Sequence, residues 1–391
     1  MTVRANKPAF NIREKLKELE RPIGLKGSEL MSADTSQEAR DLVSAGRKNK
    51  IINGSMIIDQ RHSGASNTNS NGYHTDRFRT QVSGADQLVQ TYQQVADGPP
   101  GFKYSLKITT TTPETSVDSN EFLSVYTKME GLDLQDLAYG TNTPKTITVS
   151  FYVKSSITGK FVYTIFRWEP SGHRAINFTY TIDSANTWER KSITIPGDTV
   201  RAISNDTSDG PWWNVWHLMS GSSYEGNASP TWNVYNTANW SGYNGTDAIC
   251  TTNGATWQIT GVQLEVGKNA TEFEHRPYGE ELALCQRYYY EYPKGNTYNI
   301  IANGFANTTT NALFHFQYPV PMRSAPVVAT SGNWQVIDGT SHNVSGFSAI
   351  TDSTELTGRV DATSSGLTVG GVCMLRNNND ANATFGFNAE L

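Results

Sequence analysis

Residues 146–154 read Thr-Ile-Thr-Val-Ser-Phe-Tyr-Val-Lys, and this stretch decides the fold class. Ile147, Val149, Phe151 and Val153 recur at every second position, so an extended chain places all four on one face, whereas a helix would scatter them around its axis. Residues 161–168 and 191–195 carry the same β-branched and aromatic pattern. Alternation returns at Trp257-Gln258-Ile259 and resumes at Val262-Gln263-Leu264, but the apolar set passes from odd to even positions across Thr260-Gly261. One extra residue at Gly261, a β-bulge, accounts for the change of face. After a short amphipathic piece at 280–287, Phe314, Phe316 and Tyr318 alternate, residues 319–326 mark a turn, and further short strands end at Phe385 and Phe387. No internal repeat is present.

The composition of the 391 residues agrees with a β protein. Charged residues make up 18%, and 33 Gly, 18 Tyr, 15 Phe and 9 Trp suit short strands joined by many turns. The aromatic content is too high for disorder. The net charge is −5, with an excess of about +4 in residues 1–50. No Lys or Arg occurs between Ala202 and Gly267, so the main domain is not expected to neutralise phosphates or bind nucleic acid. Cys250, Cys285 and Cys373 are odd in number and widely spaced, which predicts buried free thiols rather than a disulfide framework or zinc site. The first residues lack the apolar core of a secretory signal, and no apolar run is long enough for membrane insertion. Triplets such as Asn205-Asp206-Thr207 and Asn239-Trp240-Ser241 then read as a by-product of Asn and Thr richness, not as glycan acceptors.

The first fifty residues differ in kind. Asn11 with Glu14, and Thr35 with Glu38, have capping-box spacing. Ile12, Leu16 and Leu19, then Ala39, Leu42 and Val43, supply two narrow apolar stripes, ended by Pro22 and Gly46. Helices this short are marginal alone and need a partner, either another copy of the chain or a neighbouring protein. From Asn49 the pattern turns β, opened by Lys50-Ile51-Ile52-Asn53-Gly54 and followed by a polar loop at 63–73.

Between 198 and 253 no periodicity is evident, and this stretch is expected to be a long loop system. Six of the nine Trp lie between 212 and 257. Trp212, Trp213, Trp216, Trp232, Trp240 and Tyr243, with Tyr235, sit among Gly, Ser and Asn. Indole and phenol faces stack on the C–H faces of sugar rings, while Asn, Asp and backbone groups bind hydroxyls. Trp212, Trp213, Trp216, Trp232, Trp240 and Tyr243 are therefore the candidate glycan-binding residues. The bland alternative is that the rings pack the loop onto the sandwich or into a neighbouring subunit. Glycosidase chemistry requires two carboxyl groups flanking one bond. Glu169, Asp206, Asp209, Glu225 and Asp247 are available near the aromatic stretch, but nothing in the sequence pairs them. Nucleophile-elbow, zinc-protease and phosphate-loop motifs are absent. The expectation is a protein that is not an enzyme, with no catalytic residue and no cofactor.

Several blocks together resemble a domain common in phage tail-fibre proteins. They are Lys50 to Gly54 continuing through Ile58-Asp59-Gln60-Arg61, then Gly64-Ala65-Ser66, Asp76-Arg77-Phe78, Gln93-Gln94-Val95-Ala96-Asp97, Pro100-Gly101-Phe102 and Ser105-Leu106-Lys107-Ile108. Val149 to Ser156, Ile259 to Glu265, Phe273-Glu274, Tyr278-Gly279 and Glu281 to Tyr289 complete the set. The resemblance covers roughly residues 49–292, and the stretch 211–248 departs from it. It implies a jelly-roll sandwich like those of carbohydrate-binding modules. The first fifty residues are similar to a virion-attachment segment of marine cyanophage fibres. In such modules a calcium ion often sits near the first and last strands. Asp59, Asp76 and Glu265 occupy the matching places, although they are read as ordinary surface carboxylates and no metal is expected.

The expected architecture is therefore mainly β. A short helical segment at 1–48 serves virion attachment and oligomerisation. An antiparallel jelly-roll sandwich fills 49–279, and a small C-terminal β domain fills 280–391. The implied function is a structural virion protein, a tail-fibre or appendage subunit of a tailed bacteriophage, that recognises host-surface glycan during adsorption. Its partners would be further copies of itself, a trimer first, tail or portal proteins through residues 1–48, and host glycan. The alternatives are a purely architectural tail or capsid appendage and a polysaccharide depolymerase.

Overall fold

In a computed structural model of the chain, residues 47–170, 172–205, 211–348 and 353–391 are described. The helices expected before residue 46 lie outside them. Asn49–Leu391 is one compact unit.

In chain order the first twelve strands are β1 (Tyr73–Thr75), β2 (Phe78–Ser83), β3 (Val89–Val95), β4 (Ser105–Thr112), β5 (Phe122–Met129), β6 (Ile147–Ser155), β7 (Gly159–Arg167), β8 (Arg174–Ile182), β9 (Glu189–Ile195), β10 (Trp212–Ser220), β11 (Asn233–Val234) and β12 (Thr256–Val266). They form two antiparallel sheets, ordered β1-β2-β5-β10-β7-β8-β11 and β3-β4-β12-β6-β9. Successive strands repeatedly cross from one sheet to the other, as a jelly roll requires. The predicted alternation in 146–154 corresponds to β6. Ile147, Val149, Phe151 and Val153 are fully buried against Tyr163, Tyr180, Trp216 and Leu264 in one core between the sheets.

The expected bulge is present. On β12, Thr260 pairs with Tyr152 and Gln263 with Ser150, so one extra residue lies on the β12 side. Gly261 adopts φ +61, and a Cβ there would stand 2.8 Å from the Tyr152 ring and 2.9 Å from the Phe102 ring. Only glycine meets both demands at low cost.

Two expectations need correction. Lys50 to Gly54 is not a strand. The Asn49 side chain replaces a regular ladder: its Oδ1 accepts from Ile51 N (2.9 Å) and Leu264 N (3.1 Å), and its Nδ2 donates to Val262 O (3.2 Å). The second correction is larger. Residues 212–220 are not loop but β10, hydrogen-bonded between β5 and β7 near the middle of the seven-stranded sheet. Trp212, Asn214, Trp216 and Leu218 face the core, while Trp213, Val215 and His217 face outward. Both faces carry apolar residues because both are covered, so period-2 alternation is masked.

After helix α1 (Tyr278–Gln286), ten more strands follow: β13 (Tyr289–Glu291), β14 (Ile300–Thr308), β15 (Asn311–Gln317), β16 (Val327–Ser331), β17 (Trp334–Ile337), β18 (Ser341–Asn343), β19 (Gly346–Ser348), β20 (Thr357–Thr363), β21 (Val372–Asn377) and β22 (Thr384–Asn388). They form sheets β13-β22-β16 and β18-β17-β21-β14-β15-β20-β19, with a separate core that includes Phe314, Phe316, Trp334, Phe385 and Phe387. Ion pairs hold this part against the first sandwich. Glu390 lies between Arg61 and Arg77, whose guanidiniums rest on the Tyr289 ring (3.6 Å) and the Tyr288 ring (3.4 Å). Glu130 takes a two-pronged bond from Arg287, at 2.9 Å on each oxygen. Cys250, Cys285 and Cys373 are buried and unpaired.

Candidate functional site

The outward face of the seven-stranded sheet gathers most of the aromatic residues. Cross-strand register places two rows on it. One runs Arg79–Tyr126–Val215–Thr164–Asn177 across β2, β5, β10, β7 and β8. The adjacent row runs Lys128–Trp213–Phe166–Ala175. Trp168, one residue past β7, and His173, one residue before β8, extend the second row.

A long connection, residues 221–247, folds back over part of this face. Asn177 anchors it by donating to Asn239 O (3.0 Å) and Ser241 O (2.9 Å), and Thr164 Oγ1 donates to Trp240 O (3.1 Å). An Asn236–Asn239 capping box shapes the short turn Thr237–Asn239. Trp240 is thereby pressed among Phe122, Phe166, Trp213 and His217. His217 bonds Ser124 Oγ (2.9 Å) and Thr164 Oγ1 (3.1 Å), and burial lowers its pKa to about 3.

That shift fixes a sign. His217 stays neutral in the folded protein, while the unfolded chain takes up a proton near 6.5. Its contribution to stability is complete above pH 6.5 and is lost as pH falls towards 3. We expect His217→Gln to remove about 1.4 kcal/mol per pH unit from the acid-side slope of unfolding free energy below pH 6.5. Urea midpoints between pH 7 and 5 measure this, and equal slopes for variant and parent would contradict it.

The six aromatic candidates thus separate. Trp212 and Trp216 are fully buried in the sandwich core, and Trp240 is 6% exposed beneath the connection, so the interior placement overrides their reading as ligand contacts. Trp232 is half-buried. It donates from Nε1 to Pro196 O (2.8 Å) and covers the buried Arg167 guanidinium. Trp213 is half-buried on the outward face, stacked on Tyr126 at 5.0 Å and 16°, with Lys128 Nζ 4.0 Å from its ring centre. Tyr243 lines a separate shallow groove of about 440 Å³ with Ser222, Glu225, Gly226, Ala228, Gly242 and Asn244.

Trp168 was missed by the sequence reading. It is 47% exposed and stacks on His173 at 4.0 Å and 26°. Phe166 joins it to the rest, with ring centres 6.2 Å from Trp168, 4.8 Å from Tyr235 and 5.5 Å from Trp213. The signal in the sequence was a Trp ending an alternating strand, where a side chain leaves the sheet's cover. The outcome is an aromatic surface from Trp168 through Tyr235 to Trp213, backed by the buried rings of Phe166 and Tyr126.

The carboxylates do not converge on that surface. Glu169 is buried and paired with Arg167 at 2.8 Å. Asp206 and Asp209 lie outside the described residues. Glu225 accepts no hydrogen bond among the described residues, and burial together with the Asp247 carboxylate raises its pKa to about 7. Asp247 accepts from Ser220 N at 2.9 Å.

Asp76 and Glu265 are buried rather than surface groups, because protein donors satisfy them. Asp76 accepts from Gln60, and burial raises its pKa to about 6 against the pull of Arg61. Glu265 accepts from Thr271 and Gln263, and Asp59 accepts from the His62 and Gly64 amides. Among the described residues, the one acidic triad with mutually close ligand atoms is instead Asp86, Glu114 and Glu121.

No known protein family and no curated protein matches the sequence. Among solved structures, the chain is similar to the enzymatically active domain of tailspike protein 4 from bacteriophage CBA120, with TM-score 0.30 and 13% identity over 56% of this chain and 21% of that one. It is also similar to a putative sugar binding protein from Bacteroides thetaiotaomicron, with TM-score 0.31 and 13% identity over 56% of this chain and 100% of that one. A third is the family 11 carbohydrate-binding module of a cellulosomal cellulase from Clostridium thermocellum, with TM-score 0.26 and 9% identity over 54% and 99% of the two chains.

Proposed function

We propose that the protein binds glycan on the outward face of its seven-stranded sheet, as a fibre or appendage subunit that attaches a tailed phage to its host surface. The observation that carries the binding reading is the exposed Trp168–His173 stack, continued by the half-buried Tyr235 and Trp213. Flat rings held by a rigid sheet offer apolar faces to pyranose rings at little cost in side-chain entropy. A large indole left open to water on such a sheet is the kind of surface a partner covers. The fibre reading rests on the sequence blocks between 49 and 292, and it includes a closed homo-oligomer, a trimer first, anchored through residues 1–48 to tail or portal proteins. Sedimentation of the full chain tests that part, where a monomer at micromolar concentration speaks against it.

For the binding site we expect Trp168→Ala and Trp213→Ala each to weaken glycan binding by about 1–3 kcal/mol through loss of stacking area. A glycan array followed by calorimetry on the best ligand measures this. Unchanged affinity in both variants would remove the surface from consideration.

One observation favours a second reading. Glu225, with its pKa near neutrality and Asp247 close by, is suited to donate a proton beside the Tyr243 groove. Release of reducing sugar from host polysaccharide, abolished by Glu225→Gln, would establish a depolymerase. Its absence leaves binding as the function.

A further inference from the structure

A further concavity lies where the turn after Ile58 meets the chain that follows helix α1, and it shares no residue with the aromatic surface. It encloses about 320 Å³, at the small end of ligand clefts, which is room for one sugar ring rather than a chain. One wall is the turn carrying Asp59 and Ser63. The other is formed by Glu291 to Lys294 together with Tyr278, the first residue of α1. Two hydrogen bonds tie the walls together: Gln60 Nε2 donates to Tyr289 O (2.7 Å) and Lys294 Nζ to Arg61 O (2.6 Å). The cleft is therefore formed before a ligand arrives, which lowers the cost of binding.

The lining offers both acceptors and donors. Asp59 accepts from the His62 amide (3.0 Å) on one oxygen and the Gly64 amide (2.7 Å) on the other, so each oxygen keeps a second acceptor position. Lys294 bonds Glu291 Oε1 (2.7 Å) as well as Arg61 O, which leaves one of its three N–H groups. Tyr278 is 57% exposed and adds an open phenol ring to the lining. A cationic ligand would meet the Lys294 ammonium, and an anionic one would meet Asp59 and Glu291. A neutral ring bearing hydroxyls avoids both conflicts. Its hydroxyls donate to Asp59 and accept from Lys294, and its C–H face lies on Tyr278. We propose that this cleft is a second saccharide site, taking a single neutral pyranose unit. The proposal is independent of the reading of the aromatic surface.

The test uses the full chain and single-sugar probes, the methyl α- and β-pyranosides of glucose, galactose, mannose and rhamnose, followed by saturation-transfer nuclear magnetic resonance. At least one should bind saturably, with a dissociation constant of about 1 mM, as a few hydrogen bonds and one stacked ring provide. Tyr278→Ala should weaken that probe about 5-fold or more, while Tyr278→Phe, which keeps the ring, should restore it. Tyr278 is a surface residue, so its removal leaves the fold in place. Asp59→Asn should also weaken binding, by removing the charged acceptor. Trp168→Ala and Trp213→Ala should change nothing here. The methyl glycosides of glucosamine and glucuronic acid should bind less well than that of glucose. Failure of every neutral probe to bind, or binding that survives both Tyr278→Ala and Asp59→Asn, would overturn the proposal. Tighter binding of the amino or the acidic sugar would overturn the neutral ligand class. Binding lost in Trp168→Ala or Trp213→Ala but kept in Tyr278→Ala would overturn this site and leave the aromatic surface as the place of binding.

Discussion

Trp216→Ala should lower the unfolding free energy by about 3–5 kcal/mol, a range typical of aromatic truncation in a packed core. The indole is fully buried on the inner face of β10, with ring centres 5.3 Å from Tyr163, 5.7 Å from Phe151 and 6.4 Å from Phe78. These neighbours come from three other strands on both sheets, so none can collapse into the cavity without moving its own strand. The Nε1 of Trp216 has no hydrogen-bond partner among the described residues, which makes Trp216→Phe the milder change: it keeps most of the apolar volume and removes an unsatisfied donor. Trp168→Ala supplies the contrast. Its ring lies on the surface, so stability should change by no more than about 0.5 kcal/mol. Equilibrium urea unfolding distinguishes these outcomes. A Trp216→Ala protein as stable as the parent would refute the placement of the Trp216 ring in the core between the two sheets.

The second large effect concerns the buried ion-pair cluster around Arg167, the last residue of β7. Arg167 is wholly buried and donates to Glu169 Oε1 (2.8 Å), Asp198 Oδ2 (2.6 Å), and the carbonyls of Arg201 (3.1 Å) and Ala202 (2.8 Å). Arg174 supports Asp198 from the other side at 3.1 Å. Arg167→Met should cost about 3–5 kcal/mol, because it leaves Glu169 as a buried charge without its counter-ion. The double change Arg167→Met with Glu169→Met should recover much of the loss, since removing both partners of a buried pair costs less than removing one. Thermal or urea unfolding of the three variants closes this cycle. Additive losses in the double variant would show that the pair does not act as a unit.

How far the sequence could be read depended on which side of each strand met water. β6 and β12 were legible because polar residues alternate with apolar ones, and even the Gly261 bulge announced itself as a change of parity. β10 was not legible. Trp212, Trp213, Val215 and Trp216 are apolar on both faces, one packed in the core and the other under residues 221–247, so the stretch looked like an aromatic loop. The same cause put buried rings, Trp212, Trp216 and Trp240, among the candidates. Density of Trp between 212 and 257 marked a double-sided core strand, whereas the most exposed of these platform rings, Trp168, stood alone at the end of β7. Trp213 is a candidate that does lie on the outward face, but its neighbours Tyr126 and Phe166 come from β5 and β7 through cross-strand register, which no local pattern reveals. The Asn49 staple was hidden for a related reason. A single side chain there does the work of a strand, and Lys50 to Gly54 carries strand-like residues without strand pairing.

The most direct test of glycan binding at this surface is the response of the indole N–H signals in solution nuclear magnetic resonance when the tightest glycan from the array is added. The nine Trp residues include buried reporters at 212, 216 and 257 and surface reporters at 168 and 213. Assignment by single Trp→Phe changes makes each signal specific to its ring. Binding as described shifts the signals of Trp168 and Trp213 in a saturable manner and leaves those of Trp212, Trp216 and Trp257 in place. Saturable binding that leaves Trp168 and Trp213 unmoved, or the absence of saturable binding by any glycan tested, would contradict it.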